Sequence, residues 1–511
     1  MIEARSMARG RLIRPSVPDA VPWVIASALL AVALRAPFWS QGAFPDEGGA
    51  LLVVRHWRAG GPGLYGDLFF DRPPLLVLFW RFADLLGGVQ PARLLATGGV
   101  VLLVLSAGWA GHQVGHRRGA RWAGLVAAAL ASTPLLGTQE VNGELLAAPL
   151  VMLSCAMTLA AVRGVERPVV RSAGAFVAGV TGAAALLVKQ NLVDGLLFAF
   201  VLVLAASLTR TWPRGAVSRV VVPGALGALL PLGATLLWAA AWGPGLHPLW
   251  YSLYGFRADA AAVIAAHSMS APDIRLMTLG VICLLSGLVP LLAGYLWLAR
   301  RRLREKDPFT VALLAMLVMD LLGAALGGSY WPHYLIEAAP AAALAAGSMP
   351  ALLAGGDPWP RRAVVSVVAS ATVATVVAAS PFFTSSRSGE RALIGWLAHA
   401  HRRGDTAIVT YGHPNIIEVS GLMTSGYPYL WSLPVRTEDP RLALLRSTVS
   451  SRTGPTWIVE WIPFDTWGID PAGRLAAAVR EHYRHVATVC GVPVFLRDGA
   501  ERQLPANAPV C

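Results

Sequence analysis

Pro74-Leu75-Leu76-Val77-Leu78-Phe79-Trp80-Arg81-Phe82-Ala83-Asp84-Leu85-Leu86 is the stretch that decides the topology of this chain. As a helix it would cover only about 20 Å, against a hydrocarbon core of about 30 Å. It also carries Arg81 and Asp84 three residues apart, hence on one helical face. If this run crosses a bilayer, every later loop changes side; if it lies at the interface, none does. The arginines discriminate between the two. With the N-terminal Arg5, Arg9, Arg11 and Arg14 inside and 74–86 interfacial, the basic clusters gather on the inner side. They are Arg117, Arg118 and Arg121; Arg163, Arg167 and Arg171; Arg210, Arg214 and Arg219; Arg300 to Lys306; and Arg361 with Arg362. Loops 137–144, 243–273 and 327–333, left outside, are almost free of basic residues, as the positive-inside rule requires. The interfacial assignment is the one to expect.

Composition agrees with a chain built in lipid. It is 55% hydrophobic and only 14% charged, with a mean hydropathy of +0.56; a soluble domain carries roughly 25% charged residues. Apolar runs at 20–36, 92–111, 122–137, 145–162, 172–188, 191–208, 220–242, 274–299, 309–327, 333–355 and 361–380 predict about eleven spans. The first has no small-residue cleavage site after it and is expected to stay as a helix. The net charge of +13 is almost all arginine, with lysine only at Lys189 and Lys306. Because it is scattered through short loops, it reads as a topology signal rather than a nucleic-acid surface.

The expected fold class is a polytopic α-helical membrane protein with a small C-terminal α/β domain outside. Residues 1–383 form the membrane part, with a first outer loop at 37–91; residues 384–511 form the second unit. There, Ala407 to Tyr411 and Thr456 to Glu460 read as strands, Arg474 to Tyr483 as a helix, and Val486 to Leu496 as a hairpin turning at Cys490-Gly491. Cys155 and Cys283 fall in apolar runs as inert core residues. Cys490 and Cys511, in the outer tail, can pair as a disulfide or remain free.

On this topology the chemistry-capable residues gather on the outer face. Phe44-Pro45-Asp46-Glu47-Gly48-Gly49 puts two carboxylates just past the first span, where each can cap a helix or take a proton from an acceptor. Glu144, in Gln139-Glu140-Val141-Asn142-Gly143-Glu144, opens another span. Arg72, between Asp71 and Pro73-Pro74, is a fixed cation at headgroup depth, suited to a phosphate or to snorkelling. The first outer loop also holds Asp67. Lys189 lies between two spans on the side the positive-inside rule disfavours; a phosphate partner would explain it. His333 and Tyr334 follow Gly327-Gly328-Ser329-Tyr330-Trp331-Pro332, positioned for a leaving group or as part of an interfacial aromatic belt. Trp250, Tyr251 and Arg257, with His247 and Tyr254, form an aromatic and basic platform for a sugar or a lipid headgroup. No Cys/His metal spacing, phosphate-binding loop, dinucleotide fingerprint or nucleophile elbow is present.

The acidic pair after the first span, the Arg-Pro-Pro-Leu helix entry, the Asn-Gly-Glu before the fourth span and the run from His333-Tyr334-Leu335 to Pro340 resemble the GT-C membrane glycosyltransferases. Within them, the likeness is to the branch of protein O-mannosyltransferases and aminoarabinose-to-lipid-A transferases, over residues 20–350. The resemblance implies inverting transfer of a sugar from a polyprenyl-phosphate donor to a glycan, lipid or protein acceptor, at the outer face of the cytoplasmic membrane. It implies Asp46 as the base with Glu47 as its partner, Glu144 as the second acid, and Arg72 and Lys189, with His333 and Tyr334, at the donor phosphate. Arg72 stands where that branch usually has lysine, which keeps the charge. Glu144 stands where it usually has aspartate, which leaves open whether a divalent cation such as Mg or Mn binds there. Two other classes stay in view: a transporter or flippase, for which Asp194 and Asp320 near span ends speak, and a non-catalytic scaffold acting through residues 384–511.

Overall fold

A computed structural model describes residues 20–57, 63–66, 68–163, 168–209, 214–266, 270–353, 358–381 and 387–511. The N-terminal arginines, Asp67, Arg167 and Arg210 lie outside the described residues. The apolar run that opens the chain is helix α1 (Val21–Arg35). The first loop then folds into α2 (Pro45–His56) and α3 (Pro74–Leu85). With 12 residues, α3 is too short to span, and Pro73-Pro74 set its entry. Its charges pair within the loop: Asp84 takes Arg55 at 2.7 Å and Arg81 donates to the Val54 carbonyl at 3.2 Å.

The 42-residue helix α4 (Val89–Leu130) is a hairpin rather than a rod, because Gly115 and His116 leave helical geometry, His116 with φ 54°. Gly124 returns alongside Val104. Two of the expected spans are thus the arms of one reversal. A Cβ on Gly119 would lie 2.3 Å from the Gly111 carbonyl oxygen and 2.4 Å from that of Gly347, so glycine alone lets these three backbones meet. The bundle continues with α5 (Gly143–Arg163), α6 (Pro168–Val188), α7 (Asp194–Leu208) and α8 (Arg214–Ala241). The short α9 (Leu246–Trp250) and α10 (Phe256–Ala266) follow. The run expected as one span at 274–299 is a bent pair, α11 (Ser270–Leu285) and α12 (Leu288–Arg304), meeting at 65°. Gly287, with φ 76°, makes that corner. Helices α13 (Pro308–Leu326), α14 (Ala339–Leu352) and α15 (Trp359–Ala379) complete the membrane part.

Among the described residues, eight helices are long and apolar enough to cross a membrane, or nine if the bent pair is one span. Counting eleven requires taking the arms of α4 separately and including α7, which has only 15 residues. Exposed Leu226, Leu229, Leu230, Leu236 and Leu237 clothe α8 with the apolar surface of a helix facing lipid.

The C-terminal part contains α16 (Ser388–Ala400), β1 (Thr406–Val409), α17 (Asn415–Ser420), β2 (Met423–Thr424), α18 (Ser432–Glu438), α19 (Ala443–Ser450), β3 (Trp457–Val459), α20 (Arg474–His482), β4 (Tyr483–Val489) and β5 (Val492–Arg497). The sheet runs β2-β1-β3-β5-β4, parallel from β2 to β3 and antiparallel beyond, with Ile458 opposite both Ile408 and Phe495. Tyr483, expected to end the helix, instead starts β4, paired with Arg497. Cys490 and Gly491, with φ 50° and 82°, form the tight hairpin turn, and Cys490 is disulfide-bonded to Cys511. Leu393, Ile416 and Ile417 belong to the same apolar core as Leu51 and Val54 of α2, so this domain is docked on the first loop.

Candidate active site

Helix α2 presents its two acids in opposite directions. Glu47, fully buried, turns inward and receives Arg93 twice, at 2.6 and 3.0 Å. It also accepts the backbone N–H groups of Phe44 and Val141, at 2.9 and 3.0 Å. Arg93 completes its own donors on the carbonyls of Phe38, Gln41 and Gly42. An ion pair this buried holds only when its remaining donors and acceptors are met, as they are here. It ties α2, the start of α4 and the loop before α5 into one rigid corner.

Asp46 faces the other way. Its Oδ1 accepts the indole N–H of Trp431 at 3.0 Å. With Ala50, Phe70, Arg72, Asn142, Glu144 and His333 it lines a small cavity of about 20 Å³, room for roughly one water. Glu144, 1% exposed, pairs with Lys189 Nζ at 2.8 Å. His333 sits between Glu140 and Glu144, its ring nitrogens 3.8 and 3.9 Å from their carboxylates. The Lys189 ammonium lies 5.7 Å from the Tyr334 ring centre.

Arg72 is aimed at this cavity by the two prolines after it and by Asp71, which it meets at 2.8 Å. Arg257 meets the same carboxylate from the other side at 2.5 Å. Burial by itself would raise the Asp71 carboxyl, but Arg257, Arg72 and Lys189 together bring it below its usual value. Burial would likewise lower Arg72, and Asp71, Asp46 and Glu144 more than offset it, so the guanidinium stays charged. Glu140 is pushed well above the usual range, first by burial and then by the neighbouring Asp46, Glu47 and Glu144. The site thus brings together Asp46, Glu144, Arg72, Lys189, His333 and Tyr334. Glu47 lies behind it, in the Arg93 corner.

The expected platform is divided. Arg257 joins the site through Asp71. Tyr251 lines a separate cleft against the C-terminal domain, while Trp250, 65% exposed, lies tilted against the Tyr254 ring at 4.8 Å. A further cavity of about 300 Å³, lined by Arg163, Tyr295, Arg302 and Asp307, shares no residue with this site. Among the described residues no group of three His, Cys, Asp or Glu side chains is arranged to hold a metal ion. In front of Glu144 the Lys189 ammonium already takes a cation's position.

Sequence reasoning passed over Arg93 and Trp431. Arg93 was detectable, because a charge entering an apolar run demands a partner. Trp431 was not, being 385 residues from Asp46.

This mostly helical bundle with a docked α/β domain has the fold of solved structures of ArnT and of an archaeal oligosaccharyltransferase. ArnT from Cupriavidus metallidurans bound to undecaprenyl phosphate is similar at a TM-score of 0.64 and 16% identity, over 95% of this chain and 99% of that one. The Archaeoglobus fulgidus oligosaccharyltransferase in complex with Zn and sulfate is similar at 0.56 and 14%, over 93% of this chain and 73% of that one. Its apo form gives 0.57 and 14%, over 96% and 75%. No family model and no curated protein matches the sequence.

Proposed function

We propose that this protein is a glycosyltransferase that moves a sugar, with inversion, from a polyprenyl-phosphate donor to an acceptor at the outer face of the cytoplasmic membrane. The observation that carries the reading is the shared cavity of Asp46 and Arg72: a carboxylate beside a guanidinium held charged. Asp46 takes the proton of the acceptor hydroxyl as its oxygen bonds to the anomeric carbon. The bond from that carbon to the phosphate oxygen breaks, and the phosphate leaves with the electron pair. Arg72 stabilises that charge, with His333 in the same cavity and Lys189 behind it on Glu144. ArnT, of the same fold, was crystallised with undecaprenyl phosphate, the leaving group this reaction would release.

On this reading the cavity opens when donor arrives, since it is too small for a sugar as it stands. Placing the basic loops inside puts this pocket and the Cys490–Cys511 disulfide on the oxidising side, where disulfides persist. The test is release of polyprenyl phosphate from synthetic polyprenyl-phosphate sugars by the purified chain in lipid nanodiscs. Wild type should release it and Asp46→Asn should be slower by about 10²–10⁴-fold. No release from any donor would overturn the reading.

One observation favours transport as the second reading. Asp194 and Asp320 are 2% and 5% exposed and face each other as a buried carboxyl pair. Accumulation of an unmodified substrate in proteoliposomes, abolished by Asp320→Asn, would support it over transfer.

A further inference from the structure

The first outer segment has two faces, and they differ in chemistry. Phe70 and Arg72 line the acid cavity, while Phe69 lines a second, open cleft of about 270 Å³. Tyr65 joins the two, since it lines the cleft while its hydroxyl donates to the Arg72 carbonyl at 2.6 Å. The far wall of the cleft belongs to the C-terminal domain, through Tyr429 and Glu438. The Phe69 N–H donates to the Pro428 carbonyl at 3.0 Å, closing the seam between the two parts.

The lining reads as a recognition surface for a neutral, polyhydroxylated ligand. Tyr65, Phe69, Tyr251 and Tyr429 supply aromatic faces, against which the C–H faces of a sugar ring pack. Glu438 supplies a fixed acceptor for sugar hydroxyls, held by the Tyr251 hydroxyl at 2.7 Å. The Tyr251 hydroxyl is kept protonated, first by burial and then by Glu438 and Asp259, so it serves as a donor. Among the described residues no lysine or arginine lines the cleft, and His247 is its one basic side chain. An anionic headgroup would meet Glu438 with no cation to balance it. Few polar groups among apolar walls is the usual make-up of a small-molecule site.

We propose that this cleft binds neutral sugar units of a glycan acceptor, so that the acceptor is a carbohydrate and the C-terminal domain forms half of its site. The inference rests on the glycosyltransferase reading for its place in catalysis, but the binding itself is measurable apart from it.

The experiment titrates the full chain in nanodiscs with short neutral oligosaccharides, and with an unrelated peptide and glycerophosphate as comparators. Saturation-transfer NMR and calorimetry report binding; release of polyprenyl phosphate is followed separately. Neutral oligosaccharides should bind, and Tyr429→Ala and Glu438→Gln should weaken them about tenfold or more. Tyr429→Phe, which keeps the ring, should retain most of the affinity, and Met423→Ala, on the exposed edge strand, all of it. In Tyr429→Ala and Glu438→Gln the acceptor KM should rise while slow release of polyprenyl phosphate to water persists. Binding of the peptide or glycerophosphate in place of sugars would overturn the proposal, as would sugar affinity indifferent to Tyr429 and Glu438. Should wild type bind sugars through these residues yet cleave no donor, the transferase reading falls and the sugar site stands.

Discussion

Trp431, on the C-terminal domain, donates its indole N–H to Oδ1 of Asp46 at 3.0 Å, with its ring stacked on Phe70 at 5.4 Å and 21°. Gly49 makes this possible, since a Cβ there would lie 2.2 Å from Trp431 Cζ2. One turn of α2 thus supplies both the acid and the notch that receives its partner. The indole occupies one of the two carboxylate oxygens.

Replacing the indole tests that arrangement. Trp431→Phe keeps a ring on Phe70 but removes the hydrogen bond, whose loss at a charged acceptor is worth about 1.5–3 kcal/mol. We expect kcat to fall about tenfold or more with the melting temperature nearly unchanged. Gly49→Ala, which drives the ring out, should cost more in both. Equal activity of Trp431→Phe and wild type in the transfer assay would show that the contact has no part in orienting Asp46.

The Glu47–Arg93 pair should behave as architecture. Glu47→Gln leaves Arg93 buried without its counter-charge, at a cost of about 3–5 kcal/mol. Arg93→Met should cost a comparable amount, and the double variant less than the sum. Thermal melts of the three in detergent measure this. A Glu47→Gln protein of native stability and no activity would instead make Glu47 a reacting group.

Lys189 is at once the counter-charge of Glu144 and a candidate ligand of the donor phosphate. Lys189→Met should raise the donor KM at least tenfold. If its only task is to neutralise Glu144, adding Glu144→Gln restores the KM; if it binds phosphate, the double variant stays impaired. Michaelis curves for both variants decide.

Docking of the C-terminal domain should be acid-sensitive. Burial would raise Glu390, but His413, Asn415 and Arg387 outweigh it and bring its pKa from 4.5 down to about 2. Asp405 is likewise held at about 2, where Arg502, the Arg402 backbone and Trp457 overcome burial. Folded-state values below the unfolded ones mean stability that is complete above about pH 4.5 and is lost as pH falls towards about 2. The melting temperature should drop through that window, and Glu390→Gln should flatten part of the drop. Asn415, bonded to both Glu390 and the Ala43 carbonyl, and Arg387, bonded to Ala43, would carry the loss to the Asp46 loop.

Much of the molecule was legible beforehand because lipid imposes a simple code. Apolar runs of sufficient length become helices, and Pro73-Pro74 fix where α3 begins. The strands at 406–409 and 457–459 and the Cys490-Gly491 turn followed from period and turn chemistry in the same way. The assembly of Asp46, Arg72, Glu144, Lys189 and His333 around one pocket was anticipated from the side of the membrane each loop should occupy. Local pattern sufficed for all of this, since each feature depends on neighbours in the chain or on the solvent.

Other features needed the folded molecule. Locally Glu47 differs from Asp46 in reaching back to the Phe44 N–H; the burial of Arg93 and the approach of Trp431 then assign one inward and one to the cavity. The bend at Gly287, the reversal at His116 and the division of the aromatic platform between two sites likewise follow from how distant helices meet. Hydropathy specifies how much surface must leave water; which side chains then touch depends on close approaches between segments hundreds of residues apart, and Gly48 and Gly49 permit one that no periodicity encodes.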